Sequence, residues 1–311
     1  MATGILPAFR YVGVVLEPEW LRYRPHPDII HPSVIDAAAY GAQPLAQYYM
    51  YYAPHDVPGG ICLAFADRPE GPWREYERNP IIARDWAPHY SVSHVSSPHV
   101  IWVQEEQQFF LYFHGENDTT RFAASRDGVR FEYGGVAVNT DMLGPGLTEA
   151  SYARVFRHTQ AVGKGPYVMM LMGNQDGTRK VYAAWSADAR HWTAQRLALI
   201  APPPGTGQMG PGWLLPWRDR FYIVDFANPD DSALYDPVSN LYLHEVSADF
   251  SRVTYRGLLM DHTVAGAANF RVNDPCLLRT PDRLYMFLNV GRRLHQSIAL
   301  AIAECPDATP A

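Results

Sequence analysis

The chain has 311 residues, of which 47% are hydrophobic, 13% aromatic and 19% charged. This composition predicts a folded chain with a sizeable apolar core and excludes extensive disorder. The formal net charge is -6, so there is no basic surplus to attract nucleic acid or an anionic membrane surface, and neither is an expected partner. A neutral or weakly charged small substrate fits this balance better.

The cysteines and the amino terminus bear on localisation. Cys62, Cys276 and Cys305 are odd in number and lack a C-x-x-C spacing, which indicates neither a disulfide framework nor a zinc site. The first twenty residues have no basic start and no long apolar segment, so neither a signal peptide nor a membrane helix is expected. These features predict a cytoplasmic protein, although a chain trimmed of its signal would look the same.

A sequence unit recurs five times along the chain. Each copy has a Pro- or Ala-containing opening, an apolar strand, a gap and an aromatic strand. The copies are HPSVI with QYYMYY, SPHVIW with QFFLYF, EASYARVF with YVMMLM, GPGWLL with RFYIVDF, and DPCLL with RLYMFL. The equivalent positions, about 52 to 66 residues apart, are Pro32, Pro98, Ala150, Pro211 and Pro275. This period is too long for a helical solenoid and is typical of a four-stranded propeller blade.

The segments between the units complete the blades. In the first four units an alternating strand, a polar turn and an aromatic return follow the aromatic strand, and then a short fourth strand such as GVAVNTD. The fifth unit lacks this last strand, and RYVGVVLEP at the amino terminus can supply it. We therefore predict an all-β fold, a single five-bladed β-propeller over residues 1–311. Residues 11–17 would pair with residues 297–303, which leaves no open edge.

Polar residues stand at the strand ends that should open on the central channel. At four of the five openings they are His31, His99, Glu149 and Asp274, and Gly212 stands at the opening of blade four. In the turns after the second strands they are His55, Glu116, Asn174, Asn228 and Asn289, and His114 ends the second strand of blade two. We expect these ends to converge on one pocket at the channel mouth. His89 and His94 are interpreted as ordinary loop residues.

At blade level, nearly the whole chain resembles the five-bladed propeller glycoside hydrolases of glycoside hydrolase family 43 and its superfamily. Members open blade one with Asp-Pro, blade two with Ala-Pro-Asp-Val, and blade three with Glu-Gly-Pro or Glu-Ala. Glu149-Ala150-Ser151 matches the blade-three motif, and Gly210-Pro211-Gly212-Trp213 is similar to the Gly-Pro-Gly-His motif of blade four. The chain departs from the pattern where His31 precedes Pro32 and His99 follows Pro98, because both replace an aspartate.

The resemblance implies a sugar substrate and a glycosidic bond cleaved by an acid and a base. Glu149 stands where the family's general acid stands, and a pocket lined by Tyr152 and Trp213 suits a proton-donating carboxyl. Three residues are open as the base: Asp274 and His31 equally, and then Asp28. The predicted function is a glycoside hydrolase acting on an oligosaccharide or glycan-derived sugar in the central pocket. No cofactor is required, and the sequence allows a metal ion in the channel.

Two other functions use the same residues. A lyase acting on uronate-containing glycans would use a His or Tyr base, with His31 or His99 as the catalytic histidine, and an Arg or a metal to neutralise the carboxylate. The residues that suit this hypothesis are His31, His99, His114, Tyr152, Arg154 and Arg271. A non-catalytic sugar-binding propeller needs no matched acid and base. Arg154 lies inside a strand and needs a carboxylate, either Glu149 or an acidic substrate. The predicted substrate-binding residues are His55, His114, Glu116, Tyr152, Arg154, Asn174, Trp213, Asn228 and Arg271.

Overall fold

The computed structural model describes residues 4–41, 43–54, 57–229, 238–265 and 271–305. Over these residues the chain forms five four-stranded sheets and one two-stranded hairpin, and all paired strands are antiparallel. The sheets follow one another around a common axis with their first strands innermost. This arrangement confirms the predicted all-β, five-bladed propeller.

The strands succeed one another blade by blade. The chain begins with β1 (Arg10–Leu16), which belongs to the last blade. Blade one contains β2 (Ile30–Asp36), β3 (Tyr48–Ala53), β4 (Cys62–Ala66) and β5 (Arg74–Glu75). The hairpin that follows is β6 (Asp85–Trp86) and β7 (Tyr90–Ser91). Blade two contains β8 (Val95–Val103), β9 (Gln108–Gly115), β10 (Thr119–Ser125) and β11 (Glu132–Asn139).

The second half repeats the pattern. Blade three contains β12 (Ser151–Arg157), β13 (Tyr167–Gln175), β14 (Thr178–Ser186) and β15 (Thr193–Ala194). Blade four contains β16 (Thr206–Trp217), β17 (Arg220–Pro229), β18 (Asn240–Val246) and β19 (Val253–Met260). Blade five contains β20 (Arg271–Arg279), β21 (Arg283–Arg292) and β22 (His295–Glu304), with β1 as its outer strand.

Helical structure in the described residues is short. The single α-helix, α1, is Thr140–Leu143, and the 3-10 turns are Pro18–Trp20, Ala37–Ala39 and His262–Ala265. No described helix has the length and hydropathy needed to cross a membrane.

The amino-terminal strand closes the ring as predicted. β1 pairs antiparallel with β22, from Arg10 opposite Ile302 to Leu16 opposite Ile298. The last blade thereby gains its fourth strand, and the first and last segments of the fold are joined by main-chain hydrogen bonds.

The apolar core is divided into five clusters, each between two neighbouring blades. Strand β3 shows why, because its side chains alternate between two of them: Tyr49 and Tyr51 pack towards blade two, and Met50 and Tyr52 towards blade five. A strand covered on both faces is apolar at every position. This accounts for the unbroken aromatic runs of the repeated second strands.

The outer strands differ from the sequence interpretation. The aromatic return and the short fourth strand were predicted as separate elements, but in blades two and four they form the continuous strands β11 and β19. Bulges bend these strands, and Gly135 and Gly257 lie at them with φ of 135° and 118°. In blades one and three the second segment adds only an isolated bridge, at Ile82 and Ile200.

Each innermost strand contains a two-residue bulge near the end that opens on the channel. The bulged pairs are His31-Pro32, Ser97-Pro98, Tyr152-Ala153, Pro211-Gly212 and Asp274-Pro275. The first residues of four pairs have positive φ: 59° at His31, 54° at Ser97, 57° at Tyr152 and 49° at Asp274. A bulge re-aims its side chain, and non-glycine residues in this region are strained by about 1–2 kcal/mol.

The bulges correct the sequence alignment of the blades. Ala153 and Gly212, and not Ala150 and Pro211, are equivalent to Pro32. The residue equivalent to His31 is therefore Ser97 in blade two and Tyr152 in blade three. In blade three no proline marks the register, and in blade four the proline stands one position before the equivalent residue.

Candidate active site

A cavity of about 550 Å³ lies at the axial end that the bulges face. All five blades contribute to its lining, represented by His31, His114, Tyr152, Asn228 and Asp274 in blade order. Such a convergence of polar side chains from separate sheets is the arrangement expected of a binding or catalytic site.

A buried histidine and aspartate form the centre of the lining. His31 Nδ1 lies 3.0 Å from Asp274 Oδ1, and the two residues are only 1% and 3% exposed. Asn289 holds both, since its Nδ2 donates to Asp274 Oδ2 at 2.9 Å and its Oδ1 accepts from the His31 amide at 3.2 Å. The carboxylate therefore fixes the imidazole with Nδ1 turned towards it.

Tyr152 lies beside this pair. Its ring meets His31 edge-on and stacks on His114, with centroid distances of 4.9 Å in both cases. Burial raises the pKa of Tyr152; Asp274 and Glu149 raise it further, whereas Arg179 and Arg271 lower it. The phenol thus keeps its proton in a setting of two carboxylates and two guanidinium groups.

Glu149 is held by an arginine that the sequence interpretation did not consider. Arg179 donates from Nε to Glu149 Oε2 at 3.0 Å and from Nη2 to Oε1 at 2.9 Å, so both carboxylate oxygens are engaged. Arg179 lines the cavity, and Glu149 lies behind it. The predicted pair between Glu149 and Arg154 is not formed.

A second ring of side chains lies below the bulges, two residues further along each innermost strand. It consists of Ser33, His99, Arg154, Trp213 and Cys276. Ser33 Oγ accepts from the amide of Val100, and Cys276 Sγ accepts from the amide of Val34. These two bonds tie blade one to blades two and five.

Arg154 reaches up from this ring. Its Nη1 donates to Ser97 Oγ at 3.2 Å, and its Nη2 lies 3.7 Å from Asp274 Oδ1. The buried cation compensates the charge of Asp274 from below, which a buried carboxylate needs.

His99 belongs to the lower ring. Its Nε2 donates to the carbonyl of Val155 at 2.7 Å, and its ring packs against Phe156 and Trp213. Burial lowers the pKa of His99 to about 3, Arg154 lowers it too, and the bond to Val155 opposes them. His99 is therefore neutral at physiological pH and is not in the lining of the cavity.

The structure brings about half of the predicted site residues together. The cavity lining includes His31, His114, Tyr152, Asn174, Asn228, Arg271 and Asp274. Five others lie outside the described lining: His99, Glu116, Glu149, Arg154 and Trp213. Asp28 also lies outside it, with Oδ1 accepting from the Gln296 amide at 2.6 Å. His55 lies outside the described residues.

Several lining residues were missed from the sequence. His94, interpreted as a loop residue, lines the cavity, and so do Arg179, Gln208, Asn273 and Arg293. Arg179 follows the β13–β14 turn, which opens on the same end as the first-strand openings. The sequence did contain a signal for Arg179, because the third strand of a blade begins at the same end of the channel where the second strand ends.

No group of three or more His, Cys, Asp or Glu residues in the described chain is arranged to hold a metal ion. The described lining offers the imidazoles of His31, His94 and His114 and the one carboxylate of Asp274. An ion in the channel stays a prediction.

Comparison with known proteins identifies the fold. No protein-family profile and no curated protein matches the sequence. Among solved structures, a glycosyl hydrolase from Bacteroides ovatus superimposes with a TM-score of 0.67 at 11% identity, covering 99% of this chain and 94% of that one. An alpha-L-arabinofuranosidase from Podospora anserina in complex with cellotriose gives 0.65 at 12% identity, covering 96% and 97%.

An N-acetylgalactosamine deacetylase from F. plautii in complex with blood group B trisaccharide is similar over the same extent. Its TM-score is 0.64 at 13% identity, with 98% of this chain and 96% of that chain covered. At these identities the likeness is one of fold. The chain has the five-bladed propeller fold of known carbohydrate-active enzymes, as its sequence resemblance implied.

Proposed function

We propose that the protein is a glycoside hydrolase that binds a sugar in the axial cavity and activates the attacking water with His31. The observation that carries the proposal is the buried contact between His31 Nδ1 and Asp274 Oδ1 at the cavity wall. A carboxylate on Nδ1 assigns proton transfer to Nε2, on the opposite edge of the ring. The sequence offered His31 and Asp274 equally as the base. In this proposal His31 activates the water, and Asp274 orients the His31 ring.

The cavity and the fold support a carbohydrate substrate. A volume of about 550 Å³ is in the range of small-molecule sites, and the lining is rich in amide, imidazole and guanidinium groups that bond hydroxyls. Enzymes named for glycan substrates share the fold across their whole length.

Glu149 is the proposed proton donor, on the condition that Arg179 moves. Both oxygens of Glu149 accept from Arg179, so neither can present a proton in this arrangement. The Arg179 side chain is 37% exposed and lines the cavity, where a substrate can engage it. A bound substrate that takes over Arg179 would leave Glu149 able to protonate the leaving oxygen.

The test combines a product assay with one variant. Reducing ends are measured after incubation with a panel of glycans, and Glu149→Gln should lower the rate by about 10² to 10⁴ because the amide has no acidic proton. A nitrophenyl glycoside, whose leaving group needs no protonation, should lose much less. Glu132→Gln, at an exposed position of β11, is the matched control. Equal losses on both substrates would contradict the donor role.

A second candidate function is favoured by the contact between His31 and Tyr152. In β-elimination on a uronate, a base removes the C5 proton, the C4–O bond breaks, and a C4=C5 double bond forms. His31 would take that proton, and Tyr152, a phenol that keeps its own, would protonate the leaving oxygen. Ultraviolet absorbance of an unsaturated product would favour elimination, and water incorporated at the new reducing end would favour hydrolysis.

A further inference from the structure

The hairpin that carries Arg179 is tied on its inner side to the segment that carries Glu149. The two residues of the turn between β13 and β14 both have positive φ, 53° and 79°, as in the tight turns of hairpins. The amide of Thr148 donates to the carbonyl of Asn174 at 2.9 Å, and Asn174 pairs with Arg179 across the hairpin. Main-chain contacts therefore place the segment of Glu149 beside Arg179.

Within the described chain, the outer edge of β14 has no neighbouring strand where it begins. β15 pairs with Ala184 and Trp185, and a bridge joins Val181 to Ile200. These contacts lie further along β14 than Arg179. Main-chain groups at a sheet edge that lacks a partner strand need another donor and acceptor.

Gln208 of blade four takes the place of that strand. Its Oε1 accepts from the Arg179 amide at 3.0 Å, and its Nε2 donates to the carbonyl of Gly177 at 2.9 Å. A carboxamide has the acceptor and the donor of a peptide group, so one side chain satisfies both main-chain groups. Gln208 and Arg179 both line the cavity. The two bonds thus join the innermost strand of blade four to the turn of blade three at the cavity wall.

We propose that Gln208 is a positioning residue that fixes the main chain of Arg179 beside the cavity. Both bonds are to main-chain atoms, so the guanidinium is free to leave Glu149 for a substrate while the Cα of Arg179 stays in place. Without these bonds the turn would move with the side chain, and a smaller fraction of Arg179 conformations would reach the substrate. The part of Gln208 in the reaction rests on the proposed function, in which a substrate takes over Arg179.

Chemical modification of Arg179 tests the positioning without requiring turnover. Phenylglyoxal condenses with guanidinium groups that are not engaged, and mass spectrometry locates the modified arginines. Gln208→Met keeps the approximate size of the side chain and removes both bonds. It should raise the rate of modification at Arg179 by about threefold to tenfold, the factor that one hydrogen bond contributes. Gln208→Ala, which also loses both bonds, should do the same.

Arg190 is a reference within the same protein. Glu106 accepts from its Nε at 3.0 Å and from its Nη2 at 2.8 Å, so a carboxylate engages it in the same two-bonded way as Arg179. The side chains of Arg190 and Arg179 are 30% and 37% exposed, respectively. A general loosening of the fold would raise both rates, whereas loss of the Gln208 bonds should raise the rate at Arg179 and leave that at Arg190 unchanged.

Steady-state kinetics on the substrate found in the glycan panel tests the role in the reaction. Because Arg179 would bind the substrate both before and during the chemical step, Gln208→Met should raise KM by about threefold to tenfold and change kcat by less than about threefold. Gln107→Met, which removes a bond to the Gln104 carbonyl in the β8–β9 turn, is the matched control and should change neither constant.

The outcomes separate this proposal from the proposed function. Faster modification at Arg179 alone, with no hydrolysis of any glycan, would overturn the hydrolase and leave Gln208 as a positioning residue. An unchanged rate at Arg179, or an equal rise at Arg190, would overturn the positioning role and leave the hydrolase. Hydrolysis with an unchanged KM in Gln208→Met would overturn the part of Gln208 in the reaction.

Discussion

Two histidines of neighbouring inner strands show how position along the propeller axis separates chemistry from support. His31 and His99 are both 1% exposed and are both adjacent to a proline. His31 lies at a bulge, faces Asp274 and lines the cavity. His99 lies one layer lower, donates to the carbonyl of Val155 and packs against aromatic rings.

The difference comes from which side of the proline each histidine occupies. At His31 and Asp274 the residue before the proline has positive φ and lines the cavity. The residue two positions further along joins the lower ring, as at His99 and Arg154. Both histidines are equally buried, so burial does not distinguish the two sites. The partner of the ring nitrogen distinguishes them.

The largest expected effect is on His31. If it activates the nucleophile, His31→Gln should lower kcat by about 10² to 10⁴, because the amide cannot accept the proton. His99→Gln should change kcat by less than about tenfold, since that residue does not line the cavity. The measurement is steady-state kinetics on the substrate found in the glycan panel.

The same two variants can contradict this separation of roles between His31 and His99. A loss of activity in His99→Gln as large as that in His31→Gln, with the fold intact by circular dichroism, would show that the lower ring takes part in chemistry. Activity retained by His31→Gln would remove the proposed base.

The next effect concerns Arg154, which connects the two layers. Arg154→Met leaves the carboxylate of Asp274 without the cation below it and should lower the free energy of unfolding by about 3–5 kcal/mol. Adding Asp274→Asn removes the uncompensated charge and should restore much of that loss. Denaturant unfolding of the single and double variants is the measurement, and additive losses would contradict the pairing.

The sequence predicted the architecture well because it depends on a repeated pattern. Apolar runs such as YVMMLM and QFFLYF indicate strands covered on both faces. The last unit lacks an outer strand, which correctly indicated that β1 takes its place. Ring closure and blade number follow from local periodicity and need no knowledge of side-chain contacts.

The site was predicted less completely because it depends on register and on contacts between distant segments. Tyr152 occupies the bulge of blade three, but without a proline the motif suggested Glu149 instead. Arg179 belongs to a third strand, and nothing in its neighbourhood indicates that it bonds Glu149, 30 positions away. His31 and Asp274, at marked bulges, were found.

The pH dependence of stability provides a third test. The pKa of His99 is about 3 in the folded protein, against an ordinary histidine value of 6.5 in the unfolded chain. The unfolded chain therefore binds more protons between these two pH values. Stability from this residue is complete above about pH 6.5 and falls as the pH drops, by up to about 1.4 kcal/mol per pH unit. His99→Gln should flatten the slope of Tm between about pH 4 and 6, and an unchanged slope would contradict the neutral, buried state.

The smallest expected effect is at Ser97, the residue of blade two that is equivalent to His31. Its Oγ accepts one bond from Arg154, which also donates to the carbonyl of Ala153. Ser97→Ala removes one acceptor and should cost about 1 kcal/mol of unfolding free energy, because the same guanidinium nitrogen keeps its other partner. Since Ser97 is not in the described lining, kcat should change by less than about tenfold. A loss near that of His31→Gln would mean that the bulge residue of blade two also serves catalysis, and that the distinction between His31 and His99 is one of layer alone.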